Sequence, residues 1–171
     1  YEFMGYQKLA NSIKKDLDNY LRSKQYIEYA KIQYIKDRFS NTLLILDEVH
    51  FTRDNNNSQK DKMIRPWLEM IVRYAINTKI VLLTATPMYN ISSEIIWLLN
   101  LLLLNDNKCP LESFEIFDSK GIELKTNLIF DESMSPSDYL IKKSTGYISF
   151  VRGENPYTFP IKLNPISDKQ K

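Results

Sequence analysis

The chain has 171 residues, is 43% hydrophobic and 26% charged, and carries a net charge of +2; that is enough apolar mass for one folded domain, excludes a disordered chain, and is too little charge to argue for nucleic acid by itself. One cysteine, Cys109, excludes an internal disulfide framework and fits a reducing compartment. No signal peptide is present, and the apolar run 95–104, interrupted by Asn100, falls well short of the ~20 residues that span a bilayer, so a soluble intracellular protein with no membrane partner is expected.

In chain order, residues 6–20 and 25–39 read as two helices, with apolar residues at spacings of three and four among Lys, Asp and Tyr. Leu43, Leu44, Ile45 and Leu46 then end abruptly in two carboxylates, Asp47 and Glu48. A continuous apolar run of this kind is expected of a buried parallel strand covered on both faces. Ligands of parallel α/β sheets bind just beyond the carboxyl ends of the strands. A carboxylate pair at that edge can hold a magnesium ion and polarise a water. Residues 51–60 are polar, with Asn55, Asn56, Asn57 and Ser58 at the centre, a loop composition.

Residues 61–76 predict a helix in which Met63, Ile64, Trp67, Leu68, Ile71 and Val72 share one face. Residues 79–83 are a second short apolar strand, ending in Thr84, Ala85, Thr86 and Pro87. The order strand, helix, strand predicts a parallel, right-handed unit. Glu48 and Thr84 then emerge on the same edge of the sheet. Residues 91–104 predict a helix capped by Asn90, or by Ser92 and Ser93 with Glu94 close behind. A break at 104–109 ends at Pro110. Residues 111–118 read as a short helix or irregular chain, and 121–130 as a strand or an insertion. Ser135, Pro136, Ser137 and Asp138 mark a helix start with 139–143 as its body. Residues 147–151 alternate as a strand would, and Pro156, Pro160 and Pro165 argue for an extended linker.

Asp47-Glu48-Val49-His50 followed by Thr84-Ala85-Thr86-Pro87 resembles motifs II and III of superfamily 2 helicases and translocases, the first being a Walker B element in its Asp-Glu-x-His form. Pro87-Met88-Tyr89-Asn90, then Glu94 and Trp97-Leu98-Leu99-Asn100, is similar to the chromatin-remodelling branch. The segment from Gly146 to Pro160, with Arg152-Gly153-Glu154-Asn155-Pro156 at its centre, resembles the signature of helicase-like ATPases of large DNA viruses. That group includes nucleoside triphosphatase I and the early transcription factor ATPase subunit. The implied fold is α/β: the later part of a RecA-like parallel sheet flanked by helices, with a C-terminal linker toward a second RecA-like domain. Residues 1–107 would belong to the first RecA-like domain, 108–144 to an insertion or connecting segment, and 145–171 to the bridge.

The resemblance implies ATP and Mg²⁺ as cofactors and DNA or RNA as partner. It further implies viral transcription machinery as a partner and the viral factory or virion as the place of action. Asp47 would be the magnesium group, acting through a water. Glu48 would be the general base, a role that typically contributes ~10²–10⁴-fold. His50, the lone histidine, would couple the nucleotide site to motif III and the second domain. Thr84 and Thr86 would sense the γ-phosphate and pass that state to the nucleic-acid side. The plain alternatives are a strand-capping aspartate, a surface glutamate, a structural histidine and turn-capping threonines before Pro87.

Weaker features read as ordinary structure. Trp67, Tyr74 and Trp97 fall on apolar helix faces and read as core in preference to base-stacking platforms. Lys14, Lys15, Arg22 and Lys24 mix with Asp16 and Asp18 as a solvated face. Arg152 and Glu154 flank Gly153 in a hinge-like segment. A phosphate loop needs Gly-x-x-x-x-Gly-Lys-Ser/Thr, and none of Gly5, Gly121, Gly146 and Gly153 begins a Gly-Lys-Ser/Thr. No Gln-x-x-Gly-Arg-x-x-Arg is present either. With Tyr1 at its start, the chain is expected to be an internal piece of a longer motor, whose P-loop segment and second RecA-like domain lie elsewhere in the same polypeptide. The competing reading is a pseudo-ATPase serving as a non-catalytic scaffold in a transcription complex.

Overall fold

The computed structural model describes residues 2–21, 27–52, 64–126 and 133–150. Met63, Arg22, Lys24, the asparagine run and the Arg152–Pro160 signature with its linker lie outside these residues. Two strands form as the apolar runs require: β1 is Leu43–Leu46 and β2 is Lys79–Leu82. They pair in parallel, with Leu43 opposite Lys79 and Leu46 opposite Leu82. Helix α1 is Tyr6–Leu21, α2 is Ile27–Phe39 and α3, which lies between the two strands in sequence, is Arg65–Tyr74. Pro66 stands in the first turn of α3, where its missing N–H costs nothing.

Helix α4, Glu94–Asn105, organises the core. It is apolar nearly all round, as a helix enclosed on every side must be. Trp97, Leu98, Leu101 and Leu104 pack with Ala10 of α1, Leu46 of β1 and Leu68 and Val72 of α3. Ile96, Leu99 and Leu103 face the other way, onto Leu111, Ile116 and Phe117. A separate cluster joins α1, α2 and α3 through Ile13, Leu17, Tyr34, Ile35, Phe39 and Ile71. Trp97 and Trp67 therefore sit in or against the core, whereas Tyr74 at the end of α3 is 37% exposed, a correction to its core reading. No helix among the described residues is long and apolar enough to cross a membrane.

Among the described residues the sheet is covered on one face only. Leu44, Leu46, Ile80 and Leu82 turn toward the helices. Leu43, Ile45, Val81 and Leu83, on the alternate face, are 58%, 60%, 42% and 45% exposed. The expectation of cover on both faces is thus not met by the described residues. At the far edge, Asn41 and Asn77 lead from α2 and α3 into the strands with φ of 58° and 54°, a left-handed conformation that asparagine tolerates. Asn77 Nδ2 donates to Asn41 Oδ1 at 2.9 Å, and the buried Thr78 hydroxyl donates to the Phe39 carbonyl at 2.7 Å.

Helix α4 starts at Glu94, later than the sequence suggests. Ser93 makes no side-chain cap; its N–H is taken by the Gly121 carbonyl at 2.9 Å. Gly121 has a φ of +71°, which strains any residue with a side chain, and a Cβ there would lie 2.3 Å from Ser93 Oγ, which would have to move. Helix α5, Ser113–Ile116, is a single turn, and 121–126 contributes one antiparallel bridge, Phe117 to Leu124. Helix α6, Pro136–Ser144, starts where its signal lies: Ser135 Oγ accepts the Asp138 N–H at 3.1 Å. Residues 147–150 are not a strand. Tyr147 is tied instead through its side chain, donating to Asp106 Oδ2 at 2.6 Å and accepting from Lys108 Nζ at 2.7 Å.

Asn100, read as part of a family motif, has a structural task. Its Nδ2 donates to the Leu111 carbonyl at 2.9 Å, and its Oδ1 accepts the Leu111 N–H at 2.6 Å. The amide copies a strand partner. Asn100→Ala strands both main-chain groups and is expected to cost about 1–3 kcal/mol, read as a lowered denaturation midpoint in the full-length protein. An unchanged midpoint would show that the pairing contributes nothing.

Candidate active site

Parallel pairing continues past the strands. Leu83 N–H donates to the Leu46 carbonyl at 2.9 Å, and Val49 N–H to the Leu83 carbonyl at 3.0 Å. Asp47, Glu48 and Thr84 consequently share one sheet edge. Beyond Leu46 the chain turns sharply. Asp47 Oδ1 accepts the Glu48 N–H at 3.0 Å, and Glu48 takes a φ of 50°. Val49–Thr52 then forms a 3₁₀ turn with Val49 fully buried. A left-handed residue with a side chain costs about 1–2 kcal/mol, and strain of this kind gathers at functional sites.

The turn folds Glu48 back onto His50. His50 Nδ1 lies 3.2 Å from Glu48 Oε2 and 2.9 Å from Thr84 Oγ1. The Thr84 contact is a hydrogen bond, and the Glu48 carboxylate lies within ion-pair distance of the same ring nitrogen. Thr84 Oγ1 also accepts the Thr86 N–H at 3.1 Å. Three of the expected residues, Glu48, His50 and Thr84, are in direct contact. Thr86 joins them through its main chain. The His50 side chain is mostly enclosed, at 14% exposure, while that of Glu48 is 54% exposed: the histidine is held and the carboxylate faces solvent.

Among the described residues no group of three or more His, Cys, Asp or Glu could hold a metal. The edge offers two adjacent carboxylates instead. That donor set does not make a closed metal cage. It suits Mg²⁺, which keeps several waters and takes one or two carboxylates beside substrate phosphates.

One neighbour has no signal in the sequence. The Tyr6 hydroxyl, from the first turn of α1, donates to the Asp47 carbonyl at 2.7 Å across 41 residues of chain. Burial, then the negative charges of Asp47 and Glu48, push its pKa up to about 12. The neutral phenol is thus favoured in the folded protein. Its contribution to stability is complete below its ordinary value of about 10 and is lost as pH rises through about 12. Tyrosinate absorbance of the wild type minus that of Tyr6→Phe is expected to show a phenol ionising near pH 12. Ionisation at the ordinary value would contradict the contact.

The chain is related to helicase-like proteins of large DNA viruses. One mimivirus protein (Acanthamoeba polyphaga mimivirus), provisionally named an ATP-dependent RNA helicase, is 36% identical over 125 residues, 72% of this chain and 10% of that protein. A second, with the same provisional description, is 30% identical over 153 residues, 84% of this chain and 24% of that protein. A provisionally named helicase of Frog virus 3 (isolate Goorha) is 27% identical over 168 residues, 91% of this chain and 16% of that protein. The chain thus spans between a tenth and a quarter of the length of these curated relatives. No protein-family model matches it, and no solved structure matches it.

Proposed function

We propose that this chain supplies the acidic edge of an ATP-driven nucleic-acid motor, a helicase or translocase acting on DNA or RNA in viral transcription or replication. Its fold would be the later part of a RecA-like domain, completed by a phosphate loop and a second such domain elsewhere in the full-length protein. The observation that carries this reading is the contact of Glu48 with His50 and of His50 with Thr84 across the ends of two parallel strands. The helicase-named relatives, several times longer than this chain, support it.

In this reading Asp47 holds Mg²⁺ through a water, and Glu48 accepts the proton of the attacking water. When bound with ATP, Mg²⁺ supplies charge neutralisation at the phosphate oxygens, since phosphoryl transfer asks the protein mainly for positioning and electrostatics. His50 steadies the Glu48 carboxylate while it is negative. Protonation of Glu48 weakens that charge contact and leaves His50 with its hydrogen bond to Thr84. The charge state of the base is thereby passed to the Thr84–Thr86 turn. Opening and closing of two domains around such a turn would convert hydrolysis into movement.

The test uses the full-length protein with Thr84→Ala and Thr86→Ala combined. Nucleic-acid-stimulated ATPase is expected to survive largely intact while translocation or unwinding is lost. Equal loss of both would mean that the hydroxyls serve hydrolysis itself. Absence of ATPase from the wild-type full-length protein would favour the scaffold.

A further inference from the structure

The conformation of the acidic turn needs something to hold it. Thr52, at the end of the 3₁₀ turn, is completely buried. Its hydroxyl donates to the Val49 carbonyl at 2.7 Å and accepts the Trp97 indole N–H at 2.9 Å. Trp97 is 8% exposed, and the Arg65 guanidinium covers its ring at 4.2 Å. Val49, between Glu48 and His50, is thus fixed at every handle: its N–H by Leu83, its carbonyl by Thr52, and its side chain by complete burial.

A valine at position 52 would fill much the same space without a hydroxyl, so packing alone does not account for the threonine. Leaving the indole N–H and the Val49 carbonyl unpaired in the core would cost more than the bonds contribute. The same helix also holds the loop that follows β2. Glu94 in the first turn of α4 accepts the Tyr89 N–H at 2.7 Å and the Asn90 N–H at 3.3 Å. Glu94 and Trp97 are three residues apart, the spacing of neighbours on one helix face.

We infer that Thr52 and Trp97 are positioning residues: a buried clamp from α4 that holds the Val49 peptide and so aims Glu48 and His50 for the hydrolysis proposed above, on which this inference rests. Misplacement of a catalytic group by about 1 Å can cost on the order of 10²-fold, so the clamp acts on the rate of the chemical step and leaves nucleotide affinity alone.

The experiment compares Thr52→Val, Thr52→Ser and Trp97→Phe with wild type and Glu48→Gln in the full-length protein. ATP hydrolysis is expressed per nucleotide site titrated with a non-hydrolysable analogue, which removes any unfolded fraction from the comparison. Thr52→Val is expected to lower kcat by about tenfold or more with KM for ATP unchanged, and Thr52→Ser to restore it. Trp97→Phe, which keeps an aromatic ring but loses the donor and part of the indole's volume, is expected to follow Thr52→Val and is read in its place should the valine variant not fold. A wild-type kcat per site in Thr52→Val, or in Trp97→Phe, would overturn the clamp. If Glu48→Gln is inactive in that case, the hydrolytic reading stands without it. Full activity in Glu48→Gln would remove both.

Discussion

Glu48→Gln in the full-length protein is expected to keep Mg-ATP binding and to lose turnover by about 10²–10⁴-fold, the range of a general base. The amide occupies nearly the same space, and its oxygen can take the place of Glu48 Oε2, 3.2 Å from His50 Nδ1. The turn therefore survives, while no group remains to take the water's proton. Asp47→Ala is expected to behave differently. It removes the oxygen that accepts the Glu48 N–H at 3.0 Å as well as the metal-facing carboxylate, so metal-dependent nucleotide binding weakens along with turnover. Phosphate release and calorimetric titration with Mg-ATP, on the same preparations, separate the two variants. Near wild-type hydrolysis by Glu48→Gln would sink the assignment of Glu48 as the base.

The second large effect concerns the 171-residue chain expressed by itself. It is expected to show no measurable ATPase and at best very weak affinity for ATP. Two carboxylates face a strongly hydrated Mg²⁺ that gives up water reluctantly and is normally shared with phosphates. The sequence holds no Gly-Lys-Ser/Thr to fix those phosphates. Solubility is expected to be poor as well. Leu43, Ile45, Val81 and Leu83 present an apolar sheet face that is exposed among the described residues, and such patches invite self-association. Sedimentation and titration calorimetry of the isolated chain test both statements. Micromolar binding or steady turnover would place the site outside Asp47, Glu48 and His50.

What could be read from the sequence follows the range of the forces involved. The strands announce themselves as short apolar runs, and α1 to α3 as apolar residues at helical spacing. With a parallel pair, a polar residue just after each run must share an edge, so Glu48 and Thr84 could be placed together before any coordinates. The contact of His50 with both follows from the tight turn at Glu48, whose left-handed backbone no pattern of residue types signals. Tyr6 and Thr52 were invisible for a different reason: their hydroxyls act across 41 and 45 residues of chain, on a carbonyl and an indole with no local counterpart in sequence. Asn100 stands out as part of a motif, but its role is not legible there, because its pairing with Leu111 depends on how the chain returns along α4. The alternation at 147–151 looked like a strand, but 147–150 has no ladder partner among the described residues. Side-chain bonds of Tyr147 to Asp106 and Lys108 take that place.

The most direct measurement is anomalous diffraction from crystals of the full-length protein with Mn²⁺ in place of Mg²⁺ and a non-hydrolysable ATP analogue. The expected result is a manganese peak beside the Asp47 carboxylate, with the terminal phosphate facing Glu48 at the ends of β1 and β2. Manganese and nucleotide bound at another place, with this edge still carrying the Glu48, His50 and Thr84 contacts and nothing else, would contradict it.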